Sequence, residues 1–210
     1  MVEKSEVSFA NAYRRARKAF IQACDRAHGD SITRVHPTAT GPDGKPLFID
    51  SVAFGSRAAK KALLVITGCD GGCGLLGSRF LTALLDRQVI PLTGTRLVLI
   101  HAFNPFGFAW GRRVNEDGMI LEDPAARGSW SFDMLRAIVT EDLAQVRKLR
   151  VLAVARNRRS KVEDAADQGP ARALKEFKPG IDLVVARLEL QPALAVFLAK
   201  RVVTRALATL

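Results

Sequence analysis

Cys69, Asp70 and Cys73 stand together in the segment ALLVITGCDGGCGLLGS, Ala62 to Ser78. Thiolates and carboxylates bind metal ions, and two cysteines four positions apart could act as a redox pair. An aspartate at a loop apex can also cap the helix that follows. The same stretch fits two nucleotide patterns. Thr67-Gly68, Gly72 and Gly74 match TGxxxGxG, and Gly72, Gly74 and Gly77 match GxGxxG. Such glycines let backbone N–H groups approach a pyrophosphate at a helix N-terminus. Two partners of that chemistry are missing. The second strand ends Ile100-His101-Ala102 with no acid to hold a ribose, and the only tyrosine, Tyr13, has no lysine four residues on.

A residue set of this kind needs elements to position it. The apolar run Ala62 to Thr67 predicts a buried strand, Leu75 to Arg87 a helix, and Arg96 to Ala102 a second strand with His101 near its carboxyl end. Two strands joined through a helix predict a right-handed βαβ crossover. Apolar positions Phe9, Tyr13, Ala16, Phe20 and Cys24 predict a helix from Ser5 to Ala27, with Cys24 in the core. Ser31 to Pro37 and Pro46 to Phe54 predict a hairpin around the turn Gly41-Pro42-Asp43-Gly44. Asn104-Pro105 reads as a chain break and Phe106 to Val114 as a loop with a short extended piece. Beyond it, Ser131 to Arg147 reads as a helix, and Leu149 to Ala155 as a strand or the continuation of that helix. Asn157 to Pro179 reads as irregular or partly helical, Ile181 to Leu188 as a strand, and Pro192 to Leu210 as an amphipathic helix. The expected fold is α/β, with a mixed or mainly parallel sheet flanked by helices.

Composition bounds the partners. The 210 residues are 48% hydrophobic and 25% charged, ordinary for a globular chain, and three cysteines make no disulfide framework. A reducing cytoplasm is the expected setting, and no apolar run is long enough to span a membrane. The net charge of +11 permits contact with nucleic acid without identifying it. The densest basic run, Arg147 to Lys161, has no interleaved aromatic, so a solvated face is the simpler reading; a basic interaction module is the alternative it leaves open.

Three stretches in order, HPTATGPDGKPLFID (His36 to Asp50), the glycine loop Thr67 to Ser78, and HAFNPFGFAWGRRVNEDG (His101 to Gly118), resemble a bacterial branch of the zinc-carboxypeptidase-like hydrolases. The resemblance implies zinc as cofactor and metal-dependent hydrolysis of a C-terminal peptide or amide bond. The family's first two zinc ligands, a histidine and a glutamate, fall on Asp70 and Cys73. Its third is a later histidine, and this chain has none after His101. Its Asn-Arg clamp for the substrate carboxylate falls on Glu122 and Asp123, which turns a cationic grip into two anions. Arg112 and Arg113 do match. No motif nominates Glu141, Glu163, Glu176 or Glu189 as the family's general base. The resemblance therefore implies a curtailed carboxypeptidase-like core over residues 1–130 and a divergent part over 131–210, packed on the same domain. It also implies zinc that is weak or absent and catalysis that is degenerate. A small peptide or carboxylate-bearing ligand would meet His101, Arg112 and Arg113. A nucleotide-binding protein using the glycine loop is the other alternative.

Overall fold

The computed structural model describes residues 4–69, 74–88, 93–156, 169–190 and 195–210. Among them six α-helices flank one six-stranded sheet of order β1-β2-β4-β3-β5-β6. The strands are β1 (Asp30–Thr40), β2 (Pro46–Phe54), β3 (Lys61–Thr67), β4 (Thr95–His101), β5 (Lys148–Arg156) and β6 (Asp182–Leu190). β3 pairs in parallel with β4 and β5, and β5 with β6, while β2 is antiparallel to β1 and β4. The expected α/β class with a mainly parallel sheet is what the chain adopts.

Alternation on the strands sorts the core into two layers. Leu63 and Val65 of β3 and Leu97 and Leu99 of β4 face α1 (Lys4–Ala27), α2 (Gly74–Asp86) and α6 (Ala195–Ala208). Ala62, Leu64, Ile66, Val98 and Ile100 face α4 (Trp130–Asp142) and α5 (Gly169–Phe177) on the other side. α1 buries Tyr13, Ala16, Phe20 and Cys24 in register with its helical repeat. The Tyr13 hydroxyl accepts a hydrogen bond from the Phe48 N–H at 2.8 Å and donates to its carbonyl at 3.1 Å, fastening α1 to β2. Burial pushes the Cys24 thiol up to about 12, so this cysteine is inert core. Across the sheet, fully buried Arg96 of β4 pairs with Asp142 of α4 and donates to the Gly55 carbonyl at 2.6 Å.

Several expectations change. Asn104-Pro105 starts a helix, α3 (Pro105–Trp110), where a loop is expected: the Asn104 side chain accepts from the Gly107 N–H at 2.8 Å and Pro105 fills the first helical turn, where no N–H is needed. β1 runs through Pro37 to Thr40, which an edge strand tolerates, with a register shift between Val35 and Thr40. α4 stops at Asp142, short of Arg147, because Leu143 and Val146 turn into the core below the sheet. Residues 148–156 then form a strand of their own, β5. Within Asn157 to Pro179, residues 169–177 are helical and 157–168 lie outside the described residues, and with them the end of the basic run from 157 to 161. No described helix is long and apolar enough to cross a membrane.

Candidate functional site

The carboxyl ends of β3 and β4 are joined beyond the strands themselves. The Phe103 N–H donates to the Thr67 carbonyl at 2.9 Å, and the Asn104 N–H to the Gly68 carbonyl at 2.8 Å. Two left-handed residues make this possible, Gly68 at φ +72° and Ala102 at φ +56°. A Cβ on Gly68 would lie 3.0 Å from Cα of Ala102, so the crossing needs glycine for space as well as conformation. Fully buried Asn104 completes the joint, donating to the carbonyls of Arg113 at 3.3 Å and Cys69 at 3.5 Å while capping α3. One side chain thus holds the glycine loop, α3 and the arginine segment together. Replacing Asn104 by alanine is expected to cost about 1–2 kcal/mol in urea unfolding, from the lost cap and two unmet carbonyls. A change below roughly 0.5 kcal/mol would show that the main-chain bonds alone hold the joint.

Beneath this edge lies a buried polar chain. Asp50 of β2 is paired with His101 of β4 in the sheet register. Its carboxylate accepts two bonds from Arg17 of α1, at 2.8 and 2.9 Å, and one from the Thr33 hydroxyl at 2.7 Å. The Arg17 guanidinium lies over the Phe48 ring at 3.8 Å. His101 stacks on Phe20 at 4.7 Å, its Nε2 is hydrogen-bonded to the Ser78 hydroxyl of α2 at 3.0 Å, and its Nδ1 stands 3.9 Å from Asp50 without a hydrogen bond. Burial pushes this imidazole down to about 4; Asp50 pulls the other way, and Arg17 adds to the depression. The order Ser78, His101, Asp50 has the makings of a nucleophile relay, yet all three side chains are sealed in the core and Ser78 also donates to the Ala16 carbonyl at 3.3 Å. No substrate atom reaches them here, and the chain's role is to lock α1 and α2 onto the sheet.

Arg112 and Arg113 lie outside, at the rim. Arg112 bonds Glu6 at 2.9 Å and rests over Trp110 at 5.0 Å, with half its side chain exposed. Arg113 is exposed as well, its carbonyl held by Asn104. The two arginines therefore adjoin each other but not His101, which as a ligand-facing residue is displaced inward by its stacking on Phe20. Asp70 and Cys73 lie outside the described residues. A second polar pair sits at the end of β1: His36 accepts from the Thr38 and Ala39 N–H groups through Nδ1, and its Nε2 stands 3.1 Å from a Glu116 carboxylate oxygen. His36 holds the Glu116 carboxyl below its usual range against the opposing effect of burial.

Residues 9–122, more than half of the chain, match the family model described as "Protein of unknown function (DUF2817)". The chain belongs to the DUF2817 family. No curated protein matches this DUF2817 chain by sequence. Among solved structures, a candidate metallopeptidase from Shewanella amazonensis is 16% identical with TM-score 0.55, covering 93% of this chain and 91% of that one. A metallo-carboxypeptidase from Pseudomonas aeruginosa, in complex with (2-guanidinoethylmercapto)succinic acid, is 14% identical with TM-score 0.59, covering 91% and 68%. The product-bound ectoine utilization protein EutE (DoeB) from Ruegeria pomeroyi is 14% identical with TM-score 0.55, covering 86% and 67%. At these identities the likeness is one of fold, and the fold of this DUF2817 protein is that of the zinc carboxypeptidases.

The described part of this DUF2817 chain does not supply that fold's zinc site. A catalytic zinc takes three protein ligands and keeps one position for water. His101 is packed between Phe20 and Ser78, and the Nδ1 of His36 already accepts from two main-chain N–H groups. No group of three histidine, cysteine or acidic side chains comes together among the described residues. At the clamp positions, Asp123 caps a short 3-10 helix (Pro124–Gly128) by accepting from the Ala125 N–H at 2.8 Å. The glycine spacing also has an account without a ligand. A Cβ on Gly77 would meet Thr67 at 2.7 Å, and one on Gly74 would meet the Phe108 ring at 2.3 Å. Both glycines serve the close seating of α2.

Sequence reasoning missed Asp50, Arg17, Thr33 and Ser78 as one unit. The signal available was an acid inside the apolar strand PLFIDSVAF, which has to find a cation. Nothing in the sequence pointed to Asn104 beyond its proline neighbour.

Proposed function

We propose that this protein keeps the scaffold of the metallo-carboxypeptidases without their zinc-dependent hydrolysis of C-terminal peptide or amide bonds. The observation that carries the reading is the sealing of His101: the one histidine at the carboxyl edge of the sheet is committed to Phe20 and Ser78. The substitution of the two expected ligands by Asp70 and Cys73, and of the clamp by Glu122 and Asp123, supports it. Hydrolysis by a metal needs an activated water and a base in register, and the chain nominates neither. What remains is a rim that can attract an anion. We assign Arg112 and Arg113 to a small carboxylate-bearing ligand or peptide, with Trp110 under Arg112 as a flat apolar support. We read residues 131–210 as a divergent part of the same domain, since β5 and β6 continue the sheet from β3. The setting that goes with this reading is the cytoplasm.

The test is elemental analysis of protein purified without chelator, run beside an assay for release of C-terminal residues. Substoichiometric zinc and no chelator-sensitive turnover are expected. One zinc per chain, with turnover abolished by chelator and restored by metal, would end the proposal.

A further inference from the structure

A cavity of about 430 Å³ opens where α1 and α2 end, toward the amino end of β4 and away from the joint with β3. Buried Leu97 and Leu99 of β4 form its floor, and Phe54 of β2 and Leu84 of α2 form its walls. Phe54 pairs with Leu97 in the sheet register, so β2 closes the same end. Exposed Arg26, His28 and Gln88 stand on the rim. An apolar hollow of this size with a few polar groups at its mouth has the dimensions of a small-molecule site.

Two of the rim residues are placed at a backbone cost. His28 follows α1 at φ +52° and Gln88 follows α2 at φ +49°. With Ala102 of the joint they are the only non-glycine residues of left-handed backbone among the described residues. A helix end favours glycine in that conformation, because a side chain is strained there. This chain obeys the rule after α3, where Gly111 stands at φ +67°. The fold gives nothing back for the two exceptions: neither the imidazole nor the carboxamide has a hydrogen-bond or ionic partner among the described residues. Strain kept at two helix ends that meet at one cavity points to the cavity as its reason.

We propose that this cavity binds a small uncharged molecule with an apolar body and one hydrogen-bonding end, the body on Leu97, Leu99, Phe54 and Leu84 and the end between His28 and Gln88. The rim decides the charge. The carboxyl ends of α1 and α2 bring main-chain carbonyls to it, which disfavours an anion, and the Arg26 guanidinium disfavours a cation. Arg26 is itself neutralised by Asp86 at 2.6 Å. The two groups left over, a neutral imidazole and a carboxamide, each donate and accept, which suits an amide or a hydroxyl. The walls offer no polar side chain deeper in, so the rest of the ligand is hydrocarbon or aromatic.

The test is calorimetric titration of the full chain with four probes of one chain length: octanamide, 1-octanol, octanoate and octylamine. Octanamide and 1-octanol are expected to bind one per chain, about tenfold more tightly than either ion. The double variant His28→Gly with Gln88→Gly relaxes both turns. Its thermal midpoint should hold or rise while its affinity for octanamide falls about tenfold; a purely structural role for the two side chains would lower the midpoint instead. No binding of any probe up to millimolar concentration overturns the proposal. Equal or tighter binding of a charged probe overturns it, and so does unchanged octanamide affinity in the double variant. Neither zinc nor the release of C-terminal residues enters these readouts, so they stand or fall apart from the lost hydrolysis.

Discussion

Replacing Asp50 by alanine is expected to destabilise the fold by about 3 kcal/mol or more. The carboxylate is nearly inaccessible and accepts from two Arg17 nitrogens and from Thr33. Its removal leaves a guanidinium with no counter-charge, held over the Phe48 ring at 3.8 Å, and takes the acceptor from the Thr33 hydroxyl. Cutting one partner from a buried pair costs more than the pair contributes, because the survivor keeps its desolvation penalty. Arg17 still reaches water along 23% of its side chain, which places the figure at the lower end of the range for buried pairs. Equilibrium urea unfolding of the variant checks it. The double variant with Arg17→Met should recover part of the loss, since it removes the stranded charge. A single-variant loss under about 1 kcal/mol would mean that the guanidinium escapes to solvent and that α1 is held chiefly by its apolar face.

Acid should weaken the protein well above the carboxylate range. The His101 imidazole is held down to about 4 in the fold, by burial first, against an ordinary value of 6.5. Between those values the unfolded chain binds a proton that the folded chain refuses, so stability falls as pH drops from about 7 toward 4 and levels off below it for this group. The full excursion corresponds to about 3 kcal/mol. Glu116 and Asp43, both depressed in the fold, contribute losses that begin at lower pH. Urea midpoints measured from about pH 7.5 down to about pH 2 separate the two windows. His101→Asn should flatten the upper window and leave the lower one in place. An unchanged slope in that variant would assign the acid sensitivity elsewhere.

How far the sequence could be read depends on how local each signal was. The hairpin around Gly41 to Gly44, the buried strands at 62 and 96 and the helix between them announce themselves by period and turn chemistry, and they form close to where those signals end. α3 was hidden because six residues are too few to show a period, and an Asn-Pro pair that caps a helix looks the same as one that breaks a chain. The position of β5 beside β3 was hidden because pairing across 87 residues, as between Lys61 and Lys148, leaves no local trace. For the site, the matching stretches gave the fold and its expected edge. They could not show that His101 points inward, since that depends on Phe20 and Ser78, which arrive from two other elements.

The joint between β3 and β4 bears on how such an edge can drift. Its shape comes from two main-chain hydrogen bonds, two left-handed residues and the amide of Asn104, all supplied by the polypeptide. A scaffold of this sort does not lean on a bound ion for its architecture. Mutation at the liganding positions is then uncoupled from foldability, and selection for solubility alone would preserve the outline long after selection for turnover had relaxed.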